Sequence, residues 1–171
     1  MHGSSYAYEW IIHKLHVNRE LTMFPFPKQE SLTEIFKADS SDGLPDKVVI
    51  EAVVGLANAK GGTLYIGIQD NGTVTGICLE KWCNSQIVAA TIAGNTVPPV
   101  CVEAEIVGGV LDRKVLVIHV PKADCIVATA DGKVIRRRIK VDGTPENIPM
   151  FPQEYNHCCP KQNVHRGMSL I

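Results

Sequence analysis

Between Lys133 and Val141 the chain reads KVIRRRIKV, and a strand there sorts its charges by face. Arg136, Arg138 and Lys140 share one side, while Arg137 joins Ile135, Ile139 and Val141 on the other. Same-face neighbours lie about 7 Å apart, which suits successive phosphates of a nucleic-acid backbone within rotamer freedom. Such contacts position a nucleic acid without reading its sequence. The sequence carries no recognition-helix signature. The competing reading is a solvated edge strand that its cations keep soluble.

Metal-capable side chains are present but poorly grouped. His13 and His16 share a face of an expected helix, with no partner ligands in sight. Cys78 and Cys83 have four residues between them and no second pair, and His119 lies near the end of an expected strand. His157, Cys158, Cys159 and His165 match no zinc spacing and read as a frayed tail. No metal and no cofactor are assigned from these residues.

The elements that hold the basic stripe are organised around residues 52–77, AVVGLANAKGGTLYIGIQDNGTVTGI. Ala52, Val53, Leu56 and Ala57 recur at helical spacing, and Gly61 supplies the left-handed residue that ends a helix. From Gly62 the period changes to two, with Leu64, Ile66 and Ile68 on one face. Asp70-Asn71-Gly72-Thr73 then predicts a two-residue type I′ hairpin. This glycine pair runs from helix to strand. A phosphate-cradling loop runs from strand to helix, so a Walker-type ATP site is disfavoured.

The remaining elements follow in order. A short helix over Tyr6 to His16 and a proline-bearing linker occupy residues 1–28. Residues 29–155 form one domain, and 156–171 a tail. Within the domain the pattern predicts a strand from Glu30 to Lys37 and a helix opened by Leu44-Pro45-Asp46. A second helix follows from Leu79 to about Gly94, then strands over Val100–Val107 and Lys114–Val120. Ile126–Ala130 and Lys133–Val141 read as a hairpin turned by Asp131-Gly132. Helices mixed with antiparallel hairpins predict an α+β (mixed α/β) fold, a two-layer sandwich of a mixed, largely antiparallel sheet and flanking helices.

The 171 residues suit one domain, with 45% hydrophobic and 20% charged residues. A formal net charge of −1 confines any nucleic-acid affinity to a local basic patch. No run reaches the ~18 apolar residues of a membrane span, and the N-terminus has no secretory pattern. Six cysteines therefore read as reduced, in a cytoplasmic protein.

The run LANAKGGTLYIGIQDNGTVTGI resembles the signature of the Schlafen/AlbA-like DNA-binding domain family, also called the divergent AAA family. Asn58, Gly61, Gly62, Leu64, Ile66, Gly67, Asp70, Gly72 and Gly76 match it in one register. Upstream, ESLTEIFKAD is similar to the family's E-S-x-x-x-E-F-K strand, and VIRRRIKVDGTPENIPMFPQEY resembles the end of the domain in a bacterial branch. The resemblance spans about Gln29 to Tyr155. It implies a DNA- or RNA-backbone-binding domain of a regulatory protein, with Arg136, Arg137, Arg138, Lys140, Lys37 and Lys60 as contacts, in a homodimer. It implies a second reading too, because some Schlafen proteins are RNA nucleases dependent on Mg or Mn. Glu30, Asp70 and Lys37 match that machinery, whereas Ile35 stands where its middle carboxylate belongs. Glu34 is one residue early, on the opposite face of a strand. A dimerising sensor domain that touches no nucleic acid is the third reading.

Overall fold

The computed structural model describes residues 26–39, 43–108 and 113–155. The expected N-terminal helix, with His13 and His16, and the cysteine- and histidine-bearing tail lie outside these residues.

Helix α1 covers Asp46–Ala57, after Pro45 in extended geometry and with Asp46 in its first turn. It is apolar on several sides: Val49, Ile50, Val53, Val54 and Leu56 are all buried. The helix is stopped by Gly61, at φ +71°, whose N–H donates to Leu56 O at 2.8 Å. Strand β2, Gly62–Ile66, starts on the next residue. A Cβ on Gly61 would sit 2.7 Å from Val120 O, and one on Gly62 would sit 2.0 Å from Thr33 O. Neither space exists. The glycine pair makes room for the chain's own neighbouring strands.

Strand β1, Glu34–Lys37, runs parallel to β2. Next to β2 lies β5, Lys114–Val120, antiparallel to it, and then β4, Glu103–Gly108, again antiparallel. The sheet order is therefore β1-β2-β5-β4, mixed and largely antiparallel, and the fold is α+β. Its two faces follow the alternation of the sequence. Ile35, Leu64, Ile66, Leu116 and Ile118 meet α1 and helix α3, Ser85–Gly94, in the main core. Phe36, Tyr65, Val115 and Val117 make a second apolar cluster on the opposite face, with Phe26 edge-on to Tyr65.

Several expectations are corrected. β1 begins at Glu34 rather than Glu30, because Ser31 N–H bonds back to Glu34 O in a tight turn. The helix expected from Leu79 to Gly94 is broken into α2, Leu79–Trp82, and α3. Asn84 causes the break: its side chain accepts from Gln86 N and Ile87 N and so starts a new helix. The strand expected from Val100 begins at Glu103. The Asp70–Gly72 turn has three connecting residues, not two, with Gly72 at φ +82° and Gln69 N–H bonded to Thr73 O.

The largest difference concerns the basic strand. Residues 126–130 do not form its ladder; there the short strand β6, Ala128–Thr129, pairs with β3, Thr96–Val97. The basic strand β7, Ile135–Ile139, pairs instead with β8, Pro145–Pro149, as a separate two-stranded ribbon. A last single turn, α4, covers Pro152–Tyr155.

Candidate nucleic-acid interface

Two side chains fasten the ribbon to the domain. Asn58, just past the end of α1, donates from Nδ2 to Val127 O (2.8 Å) and Ile135 O (2.7 Å). Its Oδ1 accepts from Val127 N–H at 2.8 Å. Arg137 is the second fastener. It is 5% exposed and gives hydrogen bonds to Ser31 O at 2.7 Å, Glu34 O at 3.1 Å and Asn147 Oδ1 at 3.3 Å. Glu30 supplies its counter-charge, with Nη2 3.2 Å from Oε2. Burial pulls the guanidinium below its usual pKa, and the Glu30 charge works against that. Four of the five N–H groups of Arg137 are thus engaged inside the domain.

Beyond Arg137 the ribbon leaves the domain body. Ile135 and Arg137 are 8% and 5% exposed, and from there exposure climbs to 44% at Ile139 and 110% at Val141. The other series stays wet: Arg136 is half-buried, and Arg138 and Lys140 are exposed. The turn is rigidly bonded. Lys140 N–H donates to Thr144 O (2.8 Å), Gly143 N–H to Lys140 O (3.0 Å), and Asp142 Oδ1 accepts from Thr144 N–H (2.9 Å). The end of the ribbon therefore exposes Arg138, Ile139, Lys140 and Val141.

The cations are not all free of partners. Arg136 pairs with Glu154 of α4, and Arg138 pairs at 2.8 Å with Glu146, its cross-strand neighbour. Sequence reasoning missed both carboxylates. A turn signal was present in Asp142-Gly143, but residue 138 falls opposite 146 only because the loop has three residues, 141–143. The other two lysines lie elsewhere. Lys60 is exposed on the loop after Asn58. Lys37 ends β1, at the far end of the β1–β2 pair from Glu34.

The residues matching the nuclease machinery do not assemble a metal site. Glu30 is committed to Phe36 N–H (2.8 Å) and to Arg137. Ile35 is 1% exposed in the main core beneath α1, and Glu34 faces the opposite side. Asp70 is exposed on its hairpin turn. Among the described residues no three His, Cys, Asp or Glu side chains converge as metal ligands. These residues do not fit a divalent ion. His119 is exposed, its Nδ1 3.2 Å from Thr63 Oγ1 and its Nε2 3.8 Å from Glu105. Cys78 and Cys83 are unbridged, and no helix among the described residues is long and apolar enough to cross a membrane.

One solved structure shares the fold at low identity. A protein from Corynebacterium diphtheriae, DIP2311, superposes with a TM-score of 0.50 and 20% identity over 68% of this chain. The match spans a quarter of that longer protein. The N-terminal domain of a RecG-related protein from Nitrosomonas europaea aligns at 27% identity over 55% of this chain and 65% of its own, with a TM-score of 0.40. No curated protein sequence matches significantly. Residues 30–143 match the family model described as Schlafen, AlbA_2, from the Glu30 that anchors Arg137 to the Gly143 of the ribbon turn. The chain belongs to the Schlafen AlbA_2 family.

Proposed function

We propose that residues 29–155 form a nucleic-acid-binding domain that grips the phosphate backbone through the β7–β8 ribbon and does not cut it. The observation that carries this is the climb in exposure past Arg137, which presents Arg138 and Lys140 on a projecting arm. On a chain of net charge −1, a local projecting patch is what binds a polyanion. Arg137 holds the arm from within. Arg138 and Lys140 meet phosphates, and Arg136 joins them when Glu154 gives way. Lys60, exposed past the end of α1, is a further contact. Backbone contacts of this kind suit a regulator that takes its sequence preference from another domain or subunit.

Fluorescence polarisation with labelled duplex DNA, single-stranded DNA and RNA, across a salt series, tests the reading. Binding should weaken linearly in log salt, with a slope of about −2 to −3 for two or three phosphates neutralised. A protein that binds none of these at low salt is not a nucleic-acid-binding domain. The homodimer belongs to the same proposal. Light scattering at assay concentration gives its mass directly.

A further inference from the structure

We propose that the outer face of helix α3 is where two copies of this chain meet, antiparallel across a two-fold axis at Ala90. This names the interface of the homodimer proposed above, on which it rests, and it is independent of what the ribbon binds. Residues 82–102 contain no Asp, Glu, Lys, Arg or His. A stretch of that length would carry about four charged residues at the chain's overall 20%. Were the segment buried, it would need no charge. It is not: Gln86, Ile87, Ala90 and Gly94 of α3 are exposed, Ile87 at 63%, and Val97 beyond the helix is 59% exposed. A helix side turned to water ordinarily carries charged residues.

The helix itself aligns the exposed residues. At about 100° per residue, Ile87 and Gly94 lie within about 20° of one another, two turns apart, with Ala90 between them and no more than about 60° from either. Val88 and Ile92, on the other side, are buried in the main core. Gly94 points the same way independently. Its φ is not positive, and no described atom lies within 4 Å of where its Cβ would stand. Neither backbone geometry nor crowding among the described residues therefore selects glycine there, unlike at Gly61 and Gly62. Glycine also weakens a helix relative to alanine. What the missing side chain permits is close approach from outside. Antiparallel pairing about Ala90 sets Ile87 of each copy against Gly94 of the other, bulk over gap, twice. Neutral face meets neutral face, so the pairing desolvates no charge. The same face offers nothing to a phosphate backbone or an anionic membrane surface, both of which call for Lys or Arg.

Light scattering from micromolar to millimolar protein reads the association. Wild type should approach twice the chain mass. Ala90→Glu and Ala90→Lys should each weaken dimerisation by at least about a hundredfold, because like charges then face each other across the axis. Circular dichroism should stay that of the folded chain, since Ala90 is exposed. Mixed in equal amounts, the two variants should regain the dimer as an opposite-charge pair. Gly94→Leu fills the gap and should also weaken the dimer, although leucine is the better helix former. If wild type is dimeric and these variants remain so, the α3 face is wrong and the dimer uses another surface. If the Glu and Lys variants stay monomeric when mixed, the two-fold at Ala90 is wrong. If wild type is monomeric throughout, the homodimer falls together with its interface, and polarisation against salt still decides ribbon binding on its own.

Discussion

Arg137 Nη2 lies 3.2 Å from Glu30 Oε2 across 107 positions of the chain. The pair ties the final ribbon to the segment that leads into β1. The Arg137 side chain is 3% exposed and that of Glu30 20%, so the contact is only weakly screened. Arg137→Ala should cost about 3–5 kcal/mol, since it strands Glu30 and three further acceptors. Arg137→Met combined with Glu30→Gln should cost less than Arg137→Ala. Urea unfolding of the three proteins checks this. An Arg137→Ala protein with wild-type stability but weakened nucleic-acid affinity would move Arg137 from strut to ligand.

The glycine pair should be intolerant in a graded way. Gly62→Ala places a Cβ 2.0 Å from Thr33 O and should leave little soluble folded protein. Gly61→Val adds a left-handed β-branched residue to a 2.7 Å clash with Val120 O, at a cost well above ~1 kcal/mol. Gly143, at φ +85° with open space around it, should lose only about 1 kcal/mol as Ala. Thermal melts of the variants give the order. Equal melting points for Gly61→Val and Gly143→Ala would mean that crowding is not what selects glycine at 61.

These cases mark how far the sequence could be read. The helix end at Gly61 was legible because one residue type solves a local backbone problem. The α+β class was legible from periodicity, as was the placing of Arg137 on the Ile135 face, although Arg137 was expected among the nucleic-acid contacts. Its partner was not, because no local rule links Arg137 to Glu30. The hairpin was misread for a related reason. Asp-Gly turns flank β7 on both sides, and β8 hides between Pro145 and Pro149, whose missing donors argue against a strand. Only an edge position in a separate ribbon makes those prolines acceptable. The split at Asn84 was written in the sequence as a cap, but continuous apolar spacing outweighed it.

Glu146 and Glu154 occupy cations that a phosphate would need. Glu146→Gln should free Arg138 and raise nucleic-acid affinity by up to about fivefold, since exposed pairs contribute at most ~1 kcal/mol. Glu154→Gln should act similarly through Arg136. Each should also make binding fall more steeply with salt. Unchanged affinity in both, measured by polarisation at fixed salt, would mean that these arginines do not meet the ligand.

Tyr65 gives a pH-dependent prediction. Burial lifts its phenol above the usual tyrosine value of 10.0, and the neighbouring Glu34 charge adds to the lift. The folded state therefore holds this proton more tightly than the unfolded chain does. Its contribution is complete below pH 10 and declines as pH rises through the folded-state value. Tyr65→Phe should lose less stability than wild type as pH rises above 10. Parallel curves for the two proteins in urea titrations across that range would contradict the shift.

The measurement closest to the central claim is the salt dependence of duplex binding by wild type and by Arg138→Ala/Lys140→Ala. Both side chains are exposed on the projecting arm, so the double variant should fold normally. The slope of log affinity against log salt should become shallower by about 1.4 to 1.8, two phosphates' worth, with affinity lost alike on unrelated sequences. A double variant with wild-type slope and affinity would contradict the account and leave the ribbon a solvated edge.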